Sequence, residues 1–221
     1  MTAVSNVIGT LWFLGLWLTS SSAAVAVVLH DLHHKNPEIM PLMKWVWALT
    51  VAYSGLLGLA VYYFSGRKQI SNDSLLRRGL RSTAHCYSGC GMGEIIGVLV
   101  TVGILAAPQP IVVAVTFSLA YAFGILLTMG PLMQEGVEKS RALKDAVISE
   151  SASIVVMEFV AIGVDLILAG DAGLRDVLFW SSLVVSLSLG FLAALPVNIL
   201  LVHFGVKEGM QNPKRMADAR S

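Results

Sequence analysis

Apolar residues fall in six long blocks, roughly 7–29, 41–64, 84–106, 110–130, 146–169 and 177–203, separated by short polar stretches. A helix needs about twenty apolar residues to cross a hydrocarbon core about 30 Å thick, and each block is that long. Alternation with a period of two is absent, which argues against a membrane barrel. The pattern predicts an all-α fold: a polytopic membrane helical bundle of six transmembrane helices forming a single domain. The first block has small residues after its apolar run, as a signal peptide would. It lacks a basic leader, and the apolar stretch resumes through Leu29, so a retained span is expected. Pro108 and Pro110 predict a tight turn between the third and fourth spans, and Pro131 predicts the end of the fourth. Pro196 lies inside the sixth and predicts a kink.

Charge orients the blocks. Only 13% of the 221 residues are charged, against about 25% in a soluble domain. The net charge of +1 supplies no field for nucleic acid, and two cysteines exclude a disulfide scaffold or a four-thiolate zinc finger. All Lys and Arg other than Lys35, Lys44 and Arg175 fall in 65–83, in 131–145 or after His203. The positive-inside rule then predicts both termini in the cytoplasm, with Trp45, Trp47 and Trp180 near the outer interface.

Against that background four carboxylates stand out within the spans: Glu94, Glu150, Glu158 and Asp165, with no Lys or Arg expected at their depth. A bare carboxylate in hydrocarbon costs several kcal/mol, so each must be protonated, hydrated or paired with a cation. At 100° per residue, Glu150, Glu158 and Asp165 share one face of the fifth span with Met157. On the third span Cys86, Cys90 and Glu94 recur every four residues, with Thr101 further along the same side. Gly89, Gly93 and Gly97 form the adjacent ridge, a doubled GxxxG pattern that admits a close neighbour.

Two groups offer metal-ligand chemistry. His85, Cys86, Cys90 and Glu94 place imidazole, thiols and a carboxylate within three turns, a set suited to copper, zinc or iron. The alternative is that the cysteines are small buried hydrophobes packed beside glycine, but His85 adjacent and Glu94 one turn on favour the ligand role. The loop after the first span carries His30, His33 and His34 around Asp31, with Met40 and Met43 behind, and could capture a soft cation or simply sit at the headgroups. Depth suggests one polar track between the third and fifth spans, with this loop above its outer mouth.

The third-span block His85-Cys86-Tyr87-Ser88-Gly89-Cys90-Gly91-Met92-Gly93-Glu94 fits the pattern HCxxGCxxG(D/E). It resembles a family of prokaryotic polytopic membrane proteins catalogued as a domain of unknown function. Further matching pieces are His30-Asp31-Leu32, Pro37 through Trp47, Gly130-Pro131-Leu132-Met133, Ala146 through Ser151, Pro196-Val197-Asn198 and Gly205 through Met210. Glu94 and Glu150 stand where the family pattern leads one to expect aspartate. The resemblance implies an integral protein of a prokaryotic cytoplasmic membrane and an association with copper or redox proteins. It supplies no reaction.

Three functions compete. The leading expectation is a membrane cation-handling protein that transports or binds a transition metal, copper before zinc or iron, through the Cys/His/carboxylate track. The second is a membrane thiol oxidoreductase or metal-dependent hydrolase using His85, Cys86 and Glu94, although no redox CxxC or HExxH motif is present. The third is a structural assembly subunit in which the polar groups only specify packing. The expected partners are the lipid bilayer and a metal ion or a proton, with a homo-oligomer compatible with six helices.

Overall fold

The computed structural model describes residues 3–134, 136–207 and 212–214, with no strand among them. Glu208, Gly209, Met210, Arg215 and Arg220, which entered the sequence reading, lie outside the described residues. The elements are α1 (Ala3–Ile8), α2 (Leu11–His34), α3 (Pro41–Ser54), α4 (Leu56–Ser65), α5 (Leu75–Val98), α6 (Gln109–Gln134), α7 (Lys139–Ala169) and α8 (Val177–His203). A π-helical segment, Leu99–Ile104, continues α5. Among the described residues five helices are long and apolar enough to cross a membrane: α2, α5 with its π segment, α6, α7 and α8.

The expected second span is where the structure departs from six. Gly55 breaks it into helices of 14 and 10 residues, about 21 and 15 Å long and too short for a core of about 30 Å. Gly55 has φ +56°, and a Cβ there would stand 2.7 Å from Ser21 Oγ. Both the left-handed backbone and the close approach to α2 require glycine. The chain turns back at this point, so α3 and α4 form a re-entrant hairpin against α2 and α5.

Both feet of the hairpin are fastened together. Asp31, at the end of α2, accepts from Arg67 Nε at 3.0 Å, Arg67 Nη2 at 2.9 Å, Tyr62 Oη at 2.7 Å and Asn36 Nδ2 at 2.8 Å. Lys68 pairs with Glu38 at 2.6 Å, and its backbone N–H donates to Asn36 Oδ1. A bidentate Arg–carboxylate pair of this kind is among the stronger polar contacts a fold can make. Asp31 was expected as a companion of the histidines; it is instead the staple of the hairpin.

Because the hairpin returns instead of crossing, α2 runs opposite to the sense expected relative to α5–α8. The α2–α3, α4–α5 and α6–α7 connections and Lys207 share one end of the bundle, the basic end. Ser5, which donates to Leu168 O at 3.2 Å, shares the other end with the α5–α6 and α7–α8 turns. Ser5 and Lys207 therefore lie at opposite ends of the bundle, whereas the sequence pattern predicts the residues before the first span and those after the last on one side. Of the three expected interface tryptophans, Trp47 is wholly buried against Tyr62, Trp45 is exposed near the basic end, and Trp180 donates to Leu174 O at the other.

The glycine ridge does what its spacing predicts, and its partner is α6. A Cβ on Gly89 would stand 2.8 Å from Gly124 Cα, one on Gly97 2.8 Å from Thr116 Cα, and one on Gly93 would run into the backbone of Leu119 and Ala120. Small residues let the two backbones meet where lipid offers no hydrophobic drive between helices. Pro131 lies within the last turn of α6 rather than ending it, and α8 continues through Pro196. Thr50 on α3 contacts Ser88 on α5 at 3.1 Å, and Ser88 donates to Val46 O, which ties the hairpin to the ridge-bearing helix.

Candidate functional site

With α5 pressed onto α6, its Cys86–Cys90–Glu94 face turns toward α7. Cys86 and Cys90 are buried and free, their Sγ atoms 3.9 Å apart, and Cys86 Sγ lies 3.7 Å from Ser153 Oγ. Glu158 is completely buried, and neither carboxyl oxygen has a hydrogen-bond partner. The thiols of Cys86 and Cys90 are the polar groups close enough to act on it. Glu94 is 2% exposed with Oε2 unpartnered, and the charges that reach it, Glu158 and Asp165, are also acidic. Asp165 accepts from Ser182 Oγ at 2.6 Å. Among the described residues no Lys or Arg pairs with any of these three acids.

Glu150 is different. Lys207 Nζ sits 2.6 Å from Glu150 Oε2 and 2.9 Å from Asn198 Oδ1, while Thr128 donates to Glu150 Oε1 at 3.1 Å. The expectation that no base answers the membrane acids is thus corrected at this position. Lys207 follows the sixth apolar block, and its long side chain reaches back from the helix end into the bundle. The pair closes the basic end of the α5–α7–α8 interface. His85 is buried beside it with neither ring nitrogen bonded, Glu150 and Lys207 being the charges that reach it.

At the opposite end the interface opens. A cleft of about 230 Å³ runs between α5, α6 and α7, with Glu94, Gln109, Thr116, Asp165 and Asp171 as polar lining and Val98, Ile162 and Phe179 among its apolar walls. Its rim is formed by the turns at Ala107–Gln109 and Gly170–Ala172. The π-helical segment of α5 widens the helix here, with Val102 on the cleft wall; such segments gather at functional sites.

The expected metal-ligand set is dispersed. His30, His33 and His34 are exposed at the end of α2, their rings 4.4 and 4.9 Å apart by centroid. Met43 is buried in the core and Met40 packs against it. That group stands at the basic end, away from Asp165, so the loop is not above the mouth near Thr101 and Asp165 as expected. Its placement follows from the turn at Gly55. Among the described residues no three His, Cys, Asp or Glu side chains converge as a metal site requires. The structure does bring Cys86, Cys90, Glu94, Glu158 and Asp165 into one line. Sequence reasoning missed Lys207, Asn198, Thr128, Ser182 and Thr116; for Lys207 the available signal was a basic residue just beyond one span facing an acid near the same end of another.

Residues 75–207 match the family described as a domain of unknown function, DUF4396. The chain belongs to that family. No curated protein and no solved structure matches it. The DUF4396 match starts with α5 and ends at Lys207, so it contains every acid of the line together with Lys207, while α1–α4 fall outside it.

Proposed function

We propose that this protein is a proton-linked membrane transporter of a cation, with Glu94, Glu158 and Asp165 as the groups that exchange a proton for the transported charge. One observation carries the reading: three acids lie along one helix interface, without a Lys or Arg among the described residues to neutralise them. Buried ionisable groups of this kind serve ion and proton pathways in membranes, because a bare carboxylate is too costly to leave unaccompanied. The cleft gives Glu94 and Asp165 access from one end, and the Lys207–Glu150 pair blocks the other, an arrangement suited to alternating access. We place the basic end in the cytoplasm. Arg67, Lys68, Arg77, Arg78, Lys139, Arg141 and Lys144 gather there, while Arg175 stands at the cleft end. The cleft then opens outward across a cytoplasmic membrane.

The full-length protein in lipid vesicles with a trapped pH dye tests this. Gradients of sodium, potassium or tetramethylammonium should drive proton movement, and Glu158→Gln should abolish it. Dicyclohexylcarbodiimide, which modifies protonated carboxyls within membranes, should label Glu94 or Glu158. Absence of both proton movement and label overturns the reading.

A second reading keeps the transition metal, copper first and zinc or iron next, as cargo. It is favoured by one observation, the buried thiol pair of Cys86 and Cys90 at 3.9 Å, since paired thiolates suit a soft monovalent ion. Metal analysis of protein purified without added metal decides it. Metal retained by the wild type and lost from Cys86→Ser/Cys90→Ser supports this reading, and equal low contents remove it.

A further inference from the structure

The cleft between α5, α6 and α7 has a chemistry narrower than "cation". Its floor carries two buried polar atoms with no hydrogen-bond partner: Glu94 Oε2, and Oγ1 of Thr116, a residue that is 4% exposed. Such atoms are costly to bury unless something bonds to them. Asp165 stands on the wall with Oδ1 already accepting from Ser182. Between these groups the lining is apolar, from Val98, Val112 and Val113 to Ile162 and Phe179.

An inorganic cation stripped of its water asks for a shell of oxygen ligands, six to eight for calcium and an octahedron for magnesium. Valine, isoleucine and phenylalanine supply none, Gln109 and Asp171 lie at the rim, and no three acid, thiol or imidazole side chains converge among the described residues. An ammonium on a hydrocarbon body fits better. Its N–H groups donate to Glu94 Oε2 and Thr116 Oγ1, and its body meets the apolar walls. Pockets for organic ligands have this composition, mostly apolar with a few convergent polar groups.

We propose that the cleft is the binding site for a small organic monovalent cation: an alkyl- or arylalkyl-ammonium ion whose charge is held by Glu94 and whose body fills the space between Val98, Val112, Ile162 and Phe179. This rests on the proton-linked reading above and names its cargo. The exchange balances simply. The protonated Glu94 carboxyl and an incoming ammonium ion give a carboxylate–ammonium pair and one proton released to the cleft. The titratable groups around Glu94 are Glu158 and Asp165 on α7, Tyr87 on its own helix and Asp171 at the cleft rim, while α6 presents the uncharged Thr116 and Gln109.

The test uses the full-length protein in lipid nanodiscs, with 2-phenylethylammonium as probe and 2-phenylethanol as its neutral counterpart of equal size. Calorimetry in weak buffer, referenced to empty nanodiscs, should show saturable binding of the ammonium with about one proton released per cation, as the exchange above requires. The alcohol should bind at least about tenfold more weakly, the loss of a charge-assisted hydrogen bond. Glu94→Gln should weaken the ammonium by a similar factor. Val112→Phe, which fills the cleft and leaves every charge in place, should also weaken it, and so separates a blocked site from a misfolded one. Equal binding of alcohol and ammonium, binding unaffected by Val112→Phe, or proton release caused by sodium or potassium but not by the ammonium would each overturn the proposal. In the last case carbodiimide labelling and cation-driven proton movement would still stand, so the wider reading would survive the loss of the narrower one.

Discussion

Lys207 Nζ lies 2.6 Å from Glu150 Oε2, both side chains buried at the basic end of the bundle. The pair joins the residues after α8 to α7, and Asn198 and Thr128 satisfy the atoms left over. Removing one partner strands the other, so Lys207→Met should cost about 3–5 kcal/mol, the scale for breaking a buried ion pair. Glu150→Gln/Lys207→Met should recover most of that loss. Thermal unfolding of the single and double variants in detergent checks this, and a double variant no better than Lys207→Met would contradict it.

Asp31 fastens the re-entrant hairpin. Asp31→Ala would leave Arg67, Tyr62 and Asn36 without their shared acceptor. Hydrogen exchange should then rise across 41–65 while α6–α8 keep their protection, because the clamp holds the feet of the hairpin rather than the span interfaces. Uniform loss of protection over the whole chain would show that the hairpin is not a separate unit.

The α5–α6 contact leaves no space at Gly93. Gly93→Ala should destabilise by about 1–3 kcal/mol or more, the usual range for overpacking, because the obstacle is backbone and cannot swing away. Gly163→Ala meets nothing within 4 Å and should leave the melting temperature unchanged or slightly raised. The contrast between the two variants is the measurement.

The Lys68 hydrogen bond holds the Glu38 carboxyl below its ordinary value of 4.5. A depressed carboxyl contributes stability that is fully present above the unfolded-state value and is lost as pH falls through the lower folded-state value. The gap in melting temperature between wild type and Glu38→Gln should therefore be constant near neutrality and close as the pH drops below 4.5. A gap that widens on acidification would reverse the sign.

Cys86 and Cys90 are almost wholly buried. A water-soluble maleimide should leave both unmodified in the folded protein and label both after denaturation. Rapid labelling of one in the native state would instead favour thiol chemistry at the site.

Much of this molecule is legible in the order of its residues. Block lengths give the membrane class, because crossing hydrocarbon demands long apolar helices whatever their neighbours do. The four-residue spacing of Gly89, Gly93 and Gly97 marks a face built for close contact, and the shared faces of Cys86, Cys90 and Glu94 and of Glu150, Glu158 and Asp165 follow from helical periodicity. The second block misled because Gly55 is one of two glycines in an apolar run. Whether the chain there continues or turns back depends on Ser21 and on the Asp31–Arg67 staple, which are distant in sequence. That one turn moved the His/Met loop to the other end of the bundle. The partner of the glycine ridge, the base that answers Glu150, and the cleft beneath Glu94 were likewise settled by which helices meet, since periodicity fixes the direction of a side chain on its own helix and only packing supplies what it faces.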